Sequence, residues 1–140
     1  MTTVDLKVEL QRLYDEVVTE GNLDLIDEVF HEDFVEHEEF PGLPPGREGP
    51  RAFITMMRDA FPDLSATIDD IIVEGDKVVT RVRFSGTHQG EFQGIPATGR
   101  KIDIQTIDIL AYRDGKISEH WGVTDQLAMM QQLGVIEEPA

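Results

Sequence analysis

Residues 118–133, "SEHWGVTDQLAMMQQL", bring two carboxyls and the chain's one tryptophan into a spacing that could move protons. In an unbroken strand Glu119, Trp121, Val123 and Asp125 point to one side. A carboxyl held against an indole in a dry pocket has its pKa raised by desolvation, so it can give or take a proton near neutral pH. Asp125 also stands just before a helical pattern. There an aspartate accepts hydrogen bonds from the free N–H groups of the helix start, worth ~0.5–2 kcal/mol. Cap and acid are both open at this point. Glu119 could instead pair with Arg81 or Arg83 across a sheet. Asp108, flanked by Ile107 and Ile109 in "IQTIDIL", is costly to bury unpaired. It is either a second carboxyl in the same pocket, able to share a proton with the first, or a residue turned to solvent.

Four histidines complete the inventory: His31, His37, His88 and His120. His31 and His37 are six apart, on different faces of any helix, and no H-E-x-x-H or H-x-H pair exists, so no metal is expected. His37 and His120 read first as polar packing. His88 lies in "GTHQGEFQGIPATGR", a glycine-rich connection that is either a mobile loop or a lid with His88 facing a ligand. The loop opens no helix, which weighs against a phosphate cradle. None of Ser65, Ser85 and Ser118 stands in a G-x-S-x-G elbow, and the absence of cysteine removes thiol nucleophiles and thiolate metal sites.

The elements that must position these groups follow from periodicity. Leu6, Leu10, Leu13 and Val17 form one stripe of an amphipathic helix over 4–20, stopped at Gly21. In "NLDLIDEVFHEDF" a second helix is expected, with Asn22 as cap and Leu23, Ile26, Val29 and Phe30 on one face. The prolines and glycines of "FPGLPPGREGP" enforce a loop. A third helix starts at Pro50, carries Phe53, Ile54, Met57 and Phe61, and ends at Pro62. Four strands come next, in "SATIDDIIVE", "KVVTRVRFSG", "GRKIDIQTIDILAYR" and "GKISEHWGVT". Two of their connections, Glu74–Lys77 and Arg113–Lys116, are short enough for antiparallel hairpins. A short helix at 126–133 closes the chain before Gly134. Helices gathered ahead of an antiparallel sheet indicate an α+β fold in a single domain, 1–140.

The composition excludes several classes. A hydrophobic share of 40% against 29% charged residues suits a folded chain. Twenty-eight acids against 12 bases leave a net charge of −16, which repels nucleic acid and anionic membranes alike. No apolar run approaches the ~20 residues of a membrane span, and no secretory signal opens the chain, so a cytoplasmic protein is expected.

"GNLDLIDEVFHEDFVEH", "AFPDL", "GTHQGEFQGIPATGRKI" and "DGKISEHWGVTD", in that order, resemble the SnoaL-like polyketide cyclases of the nuclear transport factor 2-like superfold. The similarity runs from about residue 5 to 134. It implies a cone-shaped curved antiparallel sheet wrapped by three N-terminal helices plus a short C-terminal one, a cystatin-like α+β barrel with an apolar cavity. It also implies a homodimer or higher homo-oligomer, and cofactor-free aldol cyclisation of a small polyketide-like ester. An aspartate near the end of the last strand is then the general acid/base, and by position Asp125 matches it. His37 and His88 match polar positions around the pocket, with Trp121 as its dry wall and Asp108 as a further ligand-orienting group. Residues 102–112 hold no histidine where the family's strand carries one, and offer Gln105 and Asp108. Two rivals share the fold: a module that binds an apolar ligand without chemistry, and an oligomerisation domain whose interior is filled by Phe40, Phe53, Phe84 and Trp121.

Overall fold

A computed structural model describes residues 1–137 and 139. Helix α1 (Thr3–Arg12) begins in a capping box, in which the Thr2 hydroxyl accepts from Asp5 N at 3.1 Å and Thr2 N donates to the Asp5 carboxylate at 2.9 Å. It continues as a π-helix over Leu13–Thr19 that keeps Tyr14, Val17 and Val18 buried. Gly21, at φ +76°, ends it. The Arg58 guanidinium, from α3 (Glu48–Ala60), donates to the carbonyls of Val18 and Thr19, two groups a helix end leaves without internal partners.

The second expected helix is much shorter than its pattern suggests. A 3₁₀ turn at Leu23–Leu25 leads into α2 (Ile26–Val29), and "FHEDFVE" is strand β1 (Phe30–Glu36). A register irregularity between Phe30 and Val35 breaks the alternation that would have announced a strand. Phe30 and Phe34 are nonetheless both buried, with their rings edge to face at 4.9 Å.

The remaining strands are β2 (Ser65–Glu74), β3 (Lys77–Thr87), β4 (Lys101–Arg113) and β5 (Lys116–Thr124), followed by α4 (Gln126–Gln132). The five form one sheet in the order β1-β5-β4-β3-β2. All pairs are antiparallel except the edge pair, where β1 runs parallel to β5, so the sheet is curved and unclosed, not a complete antiparallel barrel. Asp114 and Gly115 both take positive φ at the β4–β5 hairpin, the conformation of a type I′ turn.

The two faces of the sheet differ sharply. On β4, Ile102, Ile104, Thr106, Asp108 and Leu110 are buried, while the alternate residues from Lys101 to Ile109 are exposed. The buried face meets Leu6, Leu10, Leu13 and Val17 of the N-terminal helix and Ile54, Met57 and Ala60 of α3 in one core. Each Leu or Ile fully buried there contributes about 1.5–3 kcal/mol. The opposite face carries the row Ile72, Val79, Ile109 and Trp121, one residue from each of four strands in direct register.

A bulge in β5 decides which residues face inward. Tyr112 pairs with Ile117 but Ala111 pairs with Glu119, so Ser118 is an extra residue. Ile117 and Ser118 are consequently both buried, and beyond them the phase of the strand is reversed. Among the described residues no helix is long and apolar enough to cross a membrane.

Candidate active site

Inward-facing residues converge on a cavity of about 460 Å³, inside the range typical of small-molecule sites. Its walls are mainly apolar, with Leu13, Phe30, Phe53, Met57 and Phe84 among them. Phe40, Leu43 and Pro44, from the connection between β1 and α3, form another side. Phe40 meets Phe53 edge to face at 4.9 Å. Phe40, Phe53 and Phe84, three of the four aromatic residues that could have filled the interior, therefore border an open space.

The polar groups of the cavity come from one end of the sheet. Thr80, Asp108 and Gly122 share a row across β3, β4 and β5, and His120 and Thr124 flank that row on β5. The Asp108 carboxylate is buried and lies 2.8 Å from His120 Nε2. It accepts from the Tyr14 hydroxyl at 3.0 Å and from Thr106 Oγ1 at 3.4 Å. Tyr14 Oη in turn lies 3.3 Å from Thr80 Oγ1. On its other side the His120 ring places Nδ1 2.6 Å from Glu36 Oε1, so the imidazole sits between two carboxylates. Burial opposes charge on the ring, but the hydrogen bonds to Asp108 and Glu36 and the attraction of both acids outweigh it, and the His120 pKa is pushed up to about 10. Near neutral pH this is an imidazolium held between Glu36 and Asp108. Burial and the neighbouring Asp108 charge drive the Tyr14 phenol far above its ordinary value, so it stays a hydrogen-bond donor.

Glu38 completes the cluster. Its Oε1 accepts from Thr124 Oγ1 at 3.0 Å, and burial raises its carboxyl above the usual range, against the opposing effects of Thr124 and His120. Ligand-type atoms of Glu36, Glu38 and His120 lie within 4.8 Å of one another. As a metal site the trio is poorly suited, because both ring nitrogens of His120 are engaged by carboxylates and an imidazolium has no lone pair to give. Among the described residues no Lys or Arg lines the cavity.

The residues expected from sequence fall in different places. Asp108 is in the cavity wall. Asp125 is exposed and caps α4, accepting from Ala128 N at 3.1 Å, while its own N–H donates to Gln105 O. It is not a lining residue, so the expectation that it shares the pocket with Trp121 is corrected on both counts. Trp121 lies on the outer face, stacked on the His37 ring at 4.6 Å with 4° between planes, with Lys77 Nζ 5.6 Å from its centroid. His37 bonds Glu119 at 3.2 Å on that same outer face. The reason is the Ser118 bulge: strict alternation from buried Ile117 would turn Glu119, Trp121 and Val123 inward, and the extra residue turns His120, Gly122 and Thr124 inward instead.

His88 is fully buried but is not a lining residue either. Its Nδ1 accepts from Thr98 N at 3.2 Å, its backbone bonds Arg100 O and Gly99 N, and its ring packs on Phe61 at 5.4 Å. It clamps the loop between β3 and β4 from beneath. Sequence reasoning passed over Tyr14, Glu36, Glu38 and His120 as site residues. The available signal was on β4, where Asp108 is in phase with Ile102, Ile104 and Leu110 and must therefore find inward partners.

The comparisons agree with this architecture. A family model described as SnoaL-like polyketide cyclase matches residues 8–133. The chain belongs to the SnoaL-like polyketide cyclase family. Aklanonic acid methyl ester cyclase DnrD of Streptomyces peucetius is 31% identical over 136 residues, covering 91% of this chain and 90% of its own. The nogalonic acid methyl ester cyclase of Streptomyces nogalater is 28% identical over 124 residues, covering 81% and 87%. The solved structure of TsrD from Streptomyces laurentii superposes with a TM-score of 0.89 at 34% identity, covering 97% of this chain and 99% of that one. With cyclases as its named relatives, the chain is an enzyme of cyclase type.

Proposed function

We propose that this SnoaL-like enzyme closes a ring in a neutral polyketide-like ester by intramolecular aldol addition, and that Asp108, not Asp125, is the base. The observation that carries the reading is a buried carboxylate and imidazolium at one end of an otherwise apolar cavity. A carboxylate offers about four acceptor sites. Tyr14 and His120 occupy two of those on Asp108, which leaves acceptor capacity for the hydrogen on the carbon next to the ester carbonyl. His120 holds one oxygen of Asp108 at 2.8 Å, and Glu36 holds the ring in place. The apolar walls exclude the water that would quench the enolate. The lining carries acids and no cation besides His120, which favours a neutral ester over a free carboxylate.

The test is turnover of aklanonic acid methyl ester, the compound in the names of two relatives, as a surrogate substrate. Asp108→Asn should lower kcat by ~10²–10⁴-fold, the usual contribution of a positioned base. Asp125→Asn should leave kcat unchanged. The reverse result would return the base to the position after the last strand. A cavity that bound the ester and released it unaltered would support the non-catalytic alternative.

A further inference from the structure

We infer that Glu38 is a second catalytic group, the acid that delivers a proton to the accepting carbonyl oxygen as the ring closes. The inference rests on the aldol reading above, which needs an acid as well as a base. Glu38 lines the cavity from the connection after β1, across from Asp108 on β4. Thr124 holds one carboxyl oxygen, Oε1, and Glu38 N donates to Glu36 Oε1, so the side chain is tethered at both ends.

The other oxygen, Oε2, packs against the Cα of Gly122. A Cβ built on Gly122 would lie 2.5 Å from Glu38 Oε2, 2.7 Å from Asp108 Oδ1 and 2.9 Å from His120 Cε1. Glu38, Asp108 and His120 thus close over the bare Cα of Gly122, where no side chain fits, and the two carboxyls are brought side by side on one wall of the cavity. The groups facing Glu38 are Thr124 and His120 on β5, Asp108 on β4 and Glu36 on β1; burial and the two acids favour its protonated form against the Thr124 hydrogen bond and the charge of His120. Asp108 is bonded directly to the His120 ring, whereas Glu38 has no such bond and its raised carboxyl is disposed to be a donor. Two carboxyls in one pocket are thereby separated into base and acid by their neighbours.

The step balances without any co-reactant. Asp108 takes hydrogen from the carbon next to the ester, and that carbon's electron pair forms the new C–C bond. The π electrons of the accepting carbonyl move onto its oxygen, which takes the Glu38 proton. Asp108 ends protonated and Glu38 ionised, and one proton returned from Asp108 to Glu38 through solvent restores both. The product is an isomer of the substrate.

The experiment separates the half-reactions with aklanonic acid methyl ester in D₂O, following deuterium uptake next to the ester and ring closure together. In Glu38→Gln, which keeps the shape and can still accept from Thr124, closure should fall by ~10²-fold or more while deuterium uptake persists. Glu38→Asp should recover part of the closure rate, and Asp108→Asn should lose both activities. Thermal unfolding of each variant checks folding. Closure at the wild-type rate in Glu38→Gln, or equal loss of exchange and closure, would overturn the role of Glu38 and leave the Asp108 reading standing. A wild-type enzyme that neither exchanges nor closes the ester would overturn both.

Discussion

Replacing His120 by Gln removes the positive charge between two acids and keeps a polar side chain of similar reach. In the wild type Nδ1 and Nε2 lie 2.6 and 2.8 Å from Glu36 and Asp108, with side-chain exposures of 15% for His120 and 7% for Asp108. Removing one partner of such a buried pair costs about 3–5 kcal/mol, because the remaining charge is left uncompensated. The titration leads to a similar figure. A shift from 6.5 to about 10 corresponds to roughly 5 kcal/mol at 1.36 kcal/mol per unit. Since the folded value is the higher one, this stabilisation is complete below pH 6.5 and is lost as pH rises toward 10. At about 3 °C per kcal/mol for a chain of this size, the variant should melt ~10–15 °C below wild type at pH 6. The difference should shrink steadily between pH 6.5 and 10. Calorimetry or urea unfolding of both proteins across that window tests it, and two parallel pH curves would refute the buried ion pair.

Other perturbations address separate parts of the design. Asp125→Ala should cost ~0.5–2 kcal/mol in urea unfolding through loss of the α4 cap, with kcat unaltered. Tyr14→Phe removes a donor to a charged acceptor and should destabilise by about 1.5–3 kcal/mol, measured in the same way. Gly122→Ala places a methyl group against Glu38, Asp108 and His120 and should lower both kcat and, by about 1–3 kcal/mol in urea unfolding, stability, since the Glu38 tip can move aside but the bonded Asp108 and His120 must shift.

The overall plan was legible because its elements obey simple periods. The Leu6–Val17 stripe with its Gly21 stop, the Phe53–Phe61 pattern before Pro62 and the short run before Gly134 place three of the helices, and the β-branched segments after Pro62 place all four antiparallel strands. What escaped was set by two local irregularities. In β1 the charged centre "HED" and the uneven register conceal a strand, and with it Glu36, which stands at its end beside His120. In β5 a single bulged residue reverses the phase of everything after it, so the tryptophan that looked like a cavity wall is outside and the histidine that looked like packing is inside. Asp108 was accessible because its own strand has no irregularity before it. Tyr14 reaches Asp108 from the π-helical extension of α1 and Glu36 reaches His120 from β1, elements distant in sequence whose convergence no periodicity encodes.

The connection beyond Glu38, residues 39 to 47, has a consequence for how such a protein can diversify. Phe40, Leu43 and Pro44 shape the cavity from this connection, while Asp108 and His120 stand on paired strands. Gly42 and Gly46 take positive φ with nothing near the place of a side chain, so this stretch is not packed tightly at those points. Substitutions or insertions there would alter which ring systems fit, with little effect on the groups that move protons. Substrate range and chemistry are thereby encoded in separate parts of the chain, and natural variation can explore the first without risking the second.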